Sequence, residues 1–161
     1  MKFKYIVFFL VLSIFLTACN SNIDPKGHLG EIYIAALDSI MEQDEALSSG
    51  MDFIAIDMSN FEEVNENDKA AILNFFTKKY EVEVMDATFE QLKEMGLYNP
   101  ETMVLDGILL RIEKVDFKVN DNILFEGSKY RSGLGAVGVQ VIVHYNDNKW
   151  KSKEVKMMWI S

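Results

Sequence analysis

Hydrophobic positions recur at helical spacing in the first half of the chain and at spacing two in the second, with the change near Thr102. Leu29, Tyr33, Ala36, Leu37, Ile40, Met41 and Leu47 fall mostly three or four residues apart, while Glu31, Asp38, Glu42 and Glu45 occupy the opposite side. This pattern predicts an amphipathic helix that runs up to Ser48-Ser49-Gly50. Met51 to Met58 is a mostly apolar run of strand length. Asn65 or Asn67 is placed to cap a helix from about Asp68 to Tyr80, with Ala71, Ile72, Phe75 and Phe76 as its apolar face. Glu81 to Val84 alternates like a half-buried strand. Thr88-Phe89-Glu90-Gln91 has the form of a capping box, and Gly96 closes the short helix behind it.

Beyond Thr102 the period of two persists. Ile108, Leu110 and Ile112 alternate with Leu109, Arg111 and Glu113; Asn120-Asp121-Asn122 reads as a turn; Ile123 to Tyr130 reads as the returning strand. Val137, Val139, Val141, Val143 and Tyr145 line one face of a long strand. After Asn146-Asp147-Asn148, Val155, Met157 and Trp159 line the last one. Tight connections require antiparallel neighbours. The expected fold is therefore α+β: about three helices in the N-terminal half, packed on one face of a mainly antiparallel sheet that ends in a four-stranded meander.

Before this domain stands a different pattern. Met1 to Tyr5 is short and basic, Ile6 to Leu16 is apolar apart from Ser13, and Leu16-Thr17-Ala18-Cys19 ends in the chain's one cysteine. An apolar run of about a dozen residues is too short for a permanent span, which takes about 20. Leu16-Thr17-Ala18-Cys19 resembles the lipobox of bacterial lipoproteins. The resemblance implies cleavage before Cys19, lipid on its sulfur and attachment to the extracytoplasmic face of the cell membrane, which in a Gram-positive cell is the outer leaflet of the cytoplasmic membrane. It divides the chain into a signal at 1–18, a lipidated cysteine and tether at 19–27, and one domain at 28–161. Small Gram-positive lipoproteins have a similar layout, a likeness of architecture that carries no site residues.

Charge adds to this picture. The chain carries 16 Lys and Arg against 25 Asp and Glu, and loss of Lys2 and Lys4 with the signal takes the net charge from −9 to −11. So acidic a domain is repelled by nucleic acid and by anionic lipid, which leaves acyl chains on Cys19 to hold it at a membrane. No cysteine remains for disulfides, so an apolar core must hold the fold.

Motifs for chemistry are few. Gly133-Leu134-Gly135-Ala136-Val137-Gly138 matches G-x-G-x-x-G by letter, but a phosphate site needs those glycines to open a helix, and here they open a valine-alternating strand. Gly138 there suits a bulge or a close approach. Lys129 and Arg131, beside the loop, are placed either to receive an anion or to sit as a solvated strand end. The two histidines, His28 in the tether and His144 opposite the valines, lack cysteine partners, and neither Asp121 nor Asp147 has calcium-loop spacing. No cofactor or metal is expected. Asp57, ending an apolar strand, is a candidate polar binding group. Trp159 is expected in the core and Trp150 partly exposed, with Tyr130 and Tyr145 on the same sheet, and Met157 and Met158 as core filler. The candidate ligand or partner surface is thus Asp57, Arg111, Arg131, His144 and Trp150. The reading favours a non-enzymatic module that binds a protein or small ligand. The alternative is a ligand or enzymatic pocket between helices and curved sheet, which would bring Asp57, Arg111 or His144 together in a deep cavity.

Overall fold

The computed structural model describes residues 23–117 and 122–161, so the signal, Cys19 and the turn at Asn120-Asp121 lie outside the described residues. It is a mixed α/β fold: a seven-stranded, mostly antiparallel sheet with a few helices. A 3-10 turn at Pro25–His28 leads into α1 (Leu29–Met41), followed by β1 (Phe53–Asp57), α2 (Glu66–Tyr80), β2 (Glu83–Asp86) and α3 (Phe89–Glu94). The strands β3 (Tyr98–Asn99), β4 (Val104–Phe117), β5 (Asn122–Ser132), β6 (Gly135–Asn146) and β7 (Lys149–Ile160) complete the chain. The sheet order is β2-β1-β4-β5-β6-β7, with β3 paired to the start of β4. Among the described residues no helix is long and apolar enough to cross a membrane.

β1 runs parallel to both of its neighbours, β2 and β4. Its Phe-Ile-Ala-Ile run is buried throughout, as befits a strand covered on both faces. The return from β1 to β2 passes through α2, long enough for the crossover that parallel pairing demands. From β4 to β7 each strand pairs antiparallel with the next.

Alternation sorts the side chains into two cores. Ile54, Ile56, Ile108, Leu110, Ile112, Ile123, Phe125 and Val137 to Val143 at odd positions meet Ile32, Leu37 and Ile40 of α1 and Ile72 and Phe76 of α2. Phe53, Ala55, Leu105 and Leu109 point the other way and meet Ala87 and Leu92, with Phe89 of α3 packed against them. The expectation of all helices on one face is thereby corrected. α3 lies opposite α1 and α2, because β1 is apolar on both sides and its second side needs a cover. Thr88 closes the predicted capping box on α3 from both directions, and Asn65 caps α2 by accepting from the amides of Asn67 and Asp68.

The first helix is shorter than its periodicity suggests. α1 stops at Met41, Asp44 takes a left-handed backbone (φ 45°), and Leu47 belongs to a separate turn at Glu45–Ser48. Lys129 on β5 is the reason the chain can leave the helix there. Its ammonium is buried and donates to the carbonyls of Met41 (2.8 Å), Gln43 (2.7 Å) and Asp44 (3.0 Å). Carbonyls orphaned at the C-terminus are thus met by a cation, which also suits the negative end of the helix dipole. Lys129 is therefore no solvated strand end.

Candidate functional site

One row of register partners crosses the sheet on the face away from α1 and α2. Asp57 of β1 stands opposite Arg111 of β4, Arg111 opposite Ser128 of β5, Ser128 opposite Gly138 of β6, and Gly138 opposite Trp159 of β7. Asp57 and Arg111, candidates from separate segments of the sequence, are neighbours because β1 pairs parallel with β4. Arg111 Nε lies 3.6 Å from Asp57 Oδ2, and Asp57 also accepts from the Ser59 hydroxyl (2.5 Å) and amide (3.2 Å). Arg111 Nε is buried and, among the described residues, makes no hydrogen bond.

Around Arg111 the face dips into a hollow of about 240 Å³, lined by Phe89, Leu109, Glu113, Ser128, Tyr130, Ala136 and Trp159. The ladder between β4 and β5 is irregular between Ile112 and Lys114, so Glu113 has no register partner. Such an extra residue re-aims its side chain. The Glu113 carboxylate accepts from Ser128 Oγ at 2.9 Å. Phe89 and Tyr130 meet edge to face with centroids 5.6 Å apart. Burial pushes the Tyr130 phenol up, with Tyr98 adding to the rise and Arg111 opposing it, so the ring presents a neutral hydroxyl at neutral pH.

Trp159 reaches the hollow by way of Gly138. A Cβ built on Gly138 would collide with the indole, so the missing side chain is the space the ring occupies. Register also slips between Gly138 and Val139, which is the bulge the glycine was expected to permit. Gly138→Ala is expected to expel the indole, shifting tryptophan emission to the red while costing only about 1 kcal/mol of stability, since the ring is already 46 % exposed. An unshifted spectrum would contradict this placement.

The expected exposures of the two tryptophans are reversed. Trp150 is buried, 7 % exposed, against Tyr145 and facing His28, whereas Trp159 is open to solvent, as are Met157 and Met158. The reason is position: β7 is the edge strand, Trp150 at its start packs into the core that α1 helps to build, and its distal half lies outside that core. Tyr145 and Trp150 therefore pair on the helix face, and Tyr130 and Trp159 contribute to the other.

Arg131 is committed elsewhere. Its guanidinium donates to the carbonyls of Leu47 (2.8 Å) and Ser49 (2.6 Å), bracing the turn after α1. His144 is opposite Asn122 and Lys151, away from the Asp57–Arg111 pair. Burial, and then Lys153 and Lys151, hold its imidazole below the usual range, with Asp147 opposing. His28 is in the structured turn before α1, 3.5 Å from Glu31. Among the described residues no three His, Cys, Asp or Glu side chains gather as a metal site.

A larger hollow, about 630 Å³, lies between the Asn60–Glu63 loop and the far end of β4, where Lys26, Tyr33 and Phe117 also line it. Within it Lys26 pairs with Glu63 at 2.9 Å and Asn60 donates to the Ile112 carbonyl. The space between α1, α2 and the sheet is packed with the apolar side chains of the main core. Compared with known proteins, the chain matches no family model, no curated protein and no solved structure.

Proposed function

We propose that this chain is an extracytoplasmic lipoprotein, held on the membrane through lipid on Cys19, whose domain is a non-enzymatic binding module. The observation that carries the binding role is the placing of its polar convergence. The side of the sheet under α1 and α2 is filled with apolar side chains, while Asp57, Arg111, Ser128 and Glu113 meet on the opposite face beside three aromatic rings. In this reading the N-terminal helices and the meander β4–β7 are scaffold, and the face at Arg111 is the working surface. A pocket between helices and sheet, the alternative, is the less favoured reading, since the main core fills most of that space and His144 stands apart from Arg111.

The anchor follows from Leu16-Thr17-Ala18-Cys19. Ile23, four positions after Cys19, already packs against the core. Two or more acyl chains would hold so acidic a protein without help from charge. Labelled fatty acid is expected to enter the wild-type chain and not Cys19→Ala, which should accumulate uncleaved; equal labelling of both would end the lipoprotein reading. A photoreactive residue in place of Gln140, on the same sheet face as Ser128 and Gly138, is expected to capture a partner in intact cells more strongly than one in place of Lys78 on α2.

A further inference from the structure

We infer that the hollow at Arg111 is a binding site for a small zwitterion of the amino-acid kind, with its carboxylate on Arg111, its ammonium on Glu113 and an apolar side chain among Phe89, Tyr130 and Trp159. This rests on the proposed binding role and gives it a ligand class.

Two opposite charges line one hollow without neutralising each other. Among the described residues Arg111 is paired with Asp57, at 3.6 Å from Nε, and its side chain is 42 % exposed, which leaves the guanidinium fork room to meet a ligand. Among the described residues Glu113 forms no ion pair and takes one hydrogen bond, from Ser128. Arg111 and Glu113 are two positions apart on β4, and Ser128, the register partner of Arg111, stands beside both. A guanidinium fork matches a carboxylate through two parallel N–H donors, and a carboxylate beside aromatic faces suits an ammonium. A ligand bearing one charge of each sign answers both groups, whereas a plain anion meets Asp57 and Glu113 as repellents, and a plain cation meets Arg111.

Size agrees with this class. At about 240 Å³ the hollow falls below the range of about 300–1,000 Å³ that holds drug-sized ligands. Its walls are apolar or aromatic at Phe89, Leu109, Tyr130, Ala136 and Trp159, so the two charged groups fix orientation while the rings take the side chain.

The test uses the full lipidated chain in detergent, titrated with L-phenylalanine and followed by tryptophan fluorescence, where Trp159 reports the hollow and buried Trp150 the opposite face. Saturable binding is expected, weakened about tenfold or more by N-acetylation and likewise by amidation of the ligand. Arg111→Gln should make phenylalanine and its amide bind equally, Glu113→Gln should do the same for phenylalanine and its N-acetyl form, and Arg111→Lys should restore part of the carboxylate preference. Phe-Phe distinguishes the source, binding more tightly than phenylalanine if peptides supply the ligand and less tightly if free amino acids do. No saturable binding, or equal binding of the doubly blocked N-acetyl amide, overturns the inference. If the whole series fails while the residue 140 crosslinker still captures a partner, the zwitterion site falls and the binding role stands.

Discussion

Lys129→Met is expected to lower the unfolding free energy by about 3 kcal/mol, visible in urea as a lower midpoint with an unchanged slope. Methionine fills similar space, so the loss comes from polarity. Three backbone carbonyls, those of Met41, Gln43 and Asp44, lose their donor inside the protein, and the C-terminus of α1 loses its cation. Burial draws the Lys129 ammonium down to about 8, with Asp44 and Glu45 opposing. Since the unfolded chain holds that proton to about 10.5, it binds more protons than the native state between the two values, and stability from this group rises with pH across that window. The wild type should therefore gain about 1 to 2 kcal/mol over Lys129→Met between pH 7.5 and 9.5. Tyr33, pushed up to about 12 by burial, and then by Glu62, stays protonated there and does not mask the effect. A constant gap between the two proteins would show that the three carbonyls hold the charge against desolvation.

Gly127→Ala is the second large effect, about 3 kcal/mol of destabilisation. A Cβ at Gly127 would strike the carbonyl oxygen of Arg111 and come within 2.8 Å of Ile40 Cδ1, trapped between strand backbone and α1. Backbone cannot swing aside as a side chain can, so β4 and β5 must separate where Glu113 is extruded. The same substitution should therefore disturb the Ser128–Glu113 hydrogen bond. Chemical-shift changes reaching Ser128 and Arg111 would confirm the coupling, and wild-type stability would refute the close approach.

Much of the fold was legible because burial imposes a period. The strands of the meander, the cap at Asn65 and the capping box at Thr88 follow from local rules that the structure obeys. The side on which α3 packs does not, since a six-residue helix announces an apolar stripe at Leu92 and Phe89 and not the face that receives it. Partnering across the sheet is equally silent. Asp57 and Arg111 were readable one by one, but their pairing depends on β1 entering parallel to β4. Lys129 carries its own signal: it shares its parity with Ile123 and Phe125, and so points to the helix face. Glu113 carried none, because the irregularity that turns it is a property of two strands together. On β7 the alternation holds for Val155 and Met157 and fails at Trp159, which the slip opposite Gly138 turns to the other face, and burial fails for Met157 and Trp159 alike. Val155 and Met157 face the side of the helices, yet remain partly exposed on the outermost strand.

That outermost strand also bears on how copies behave in company. Among the described residues β7 pairs on one side only, with Val155, Met157 and Trp159 exposed beside its outer edge, a combination that in an isolated strand invites fibril growth. Against this stand Lys149, Lys151, Lys153 and Lys156, together with two irregularities in its pairing with β6. A parallel, in-register stack would set each lysine against its own copy, and the kinks spoil the flat template such stacking requires. Copies that meet often, as they would on the membrane surface proposed above, should therefore collide and part without knitting their sheets together.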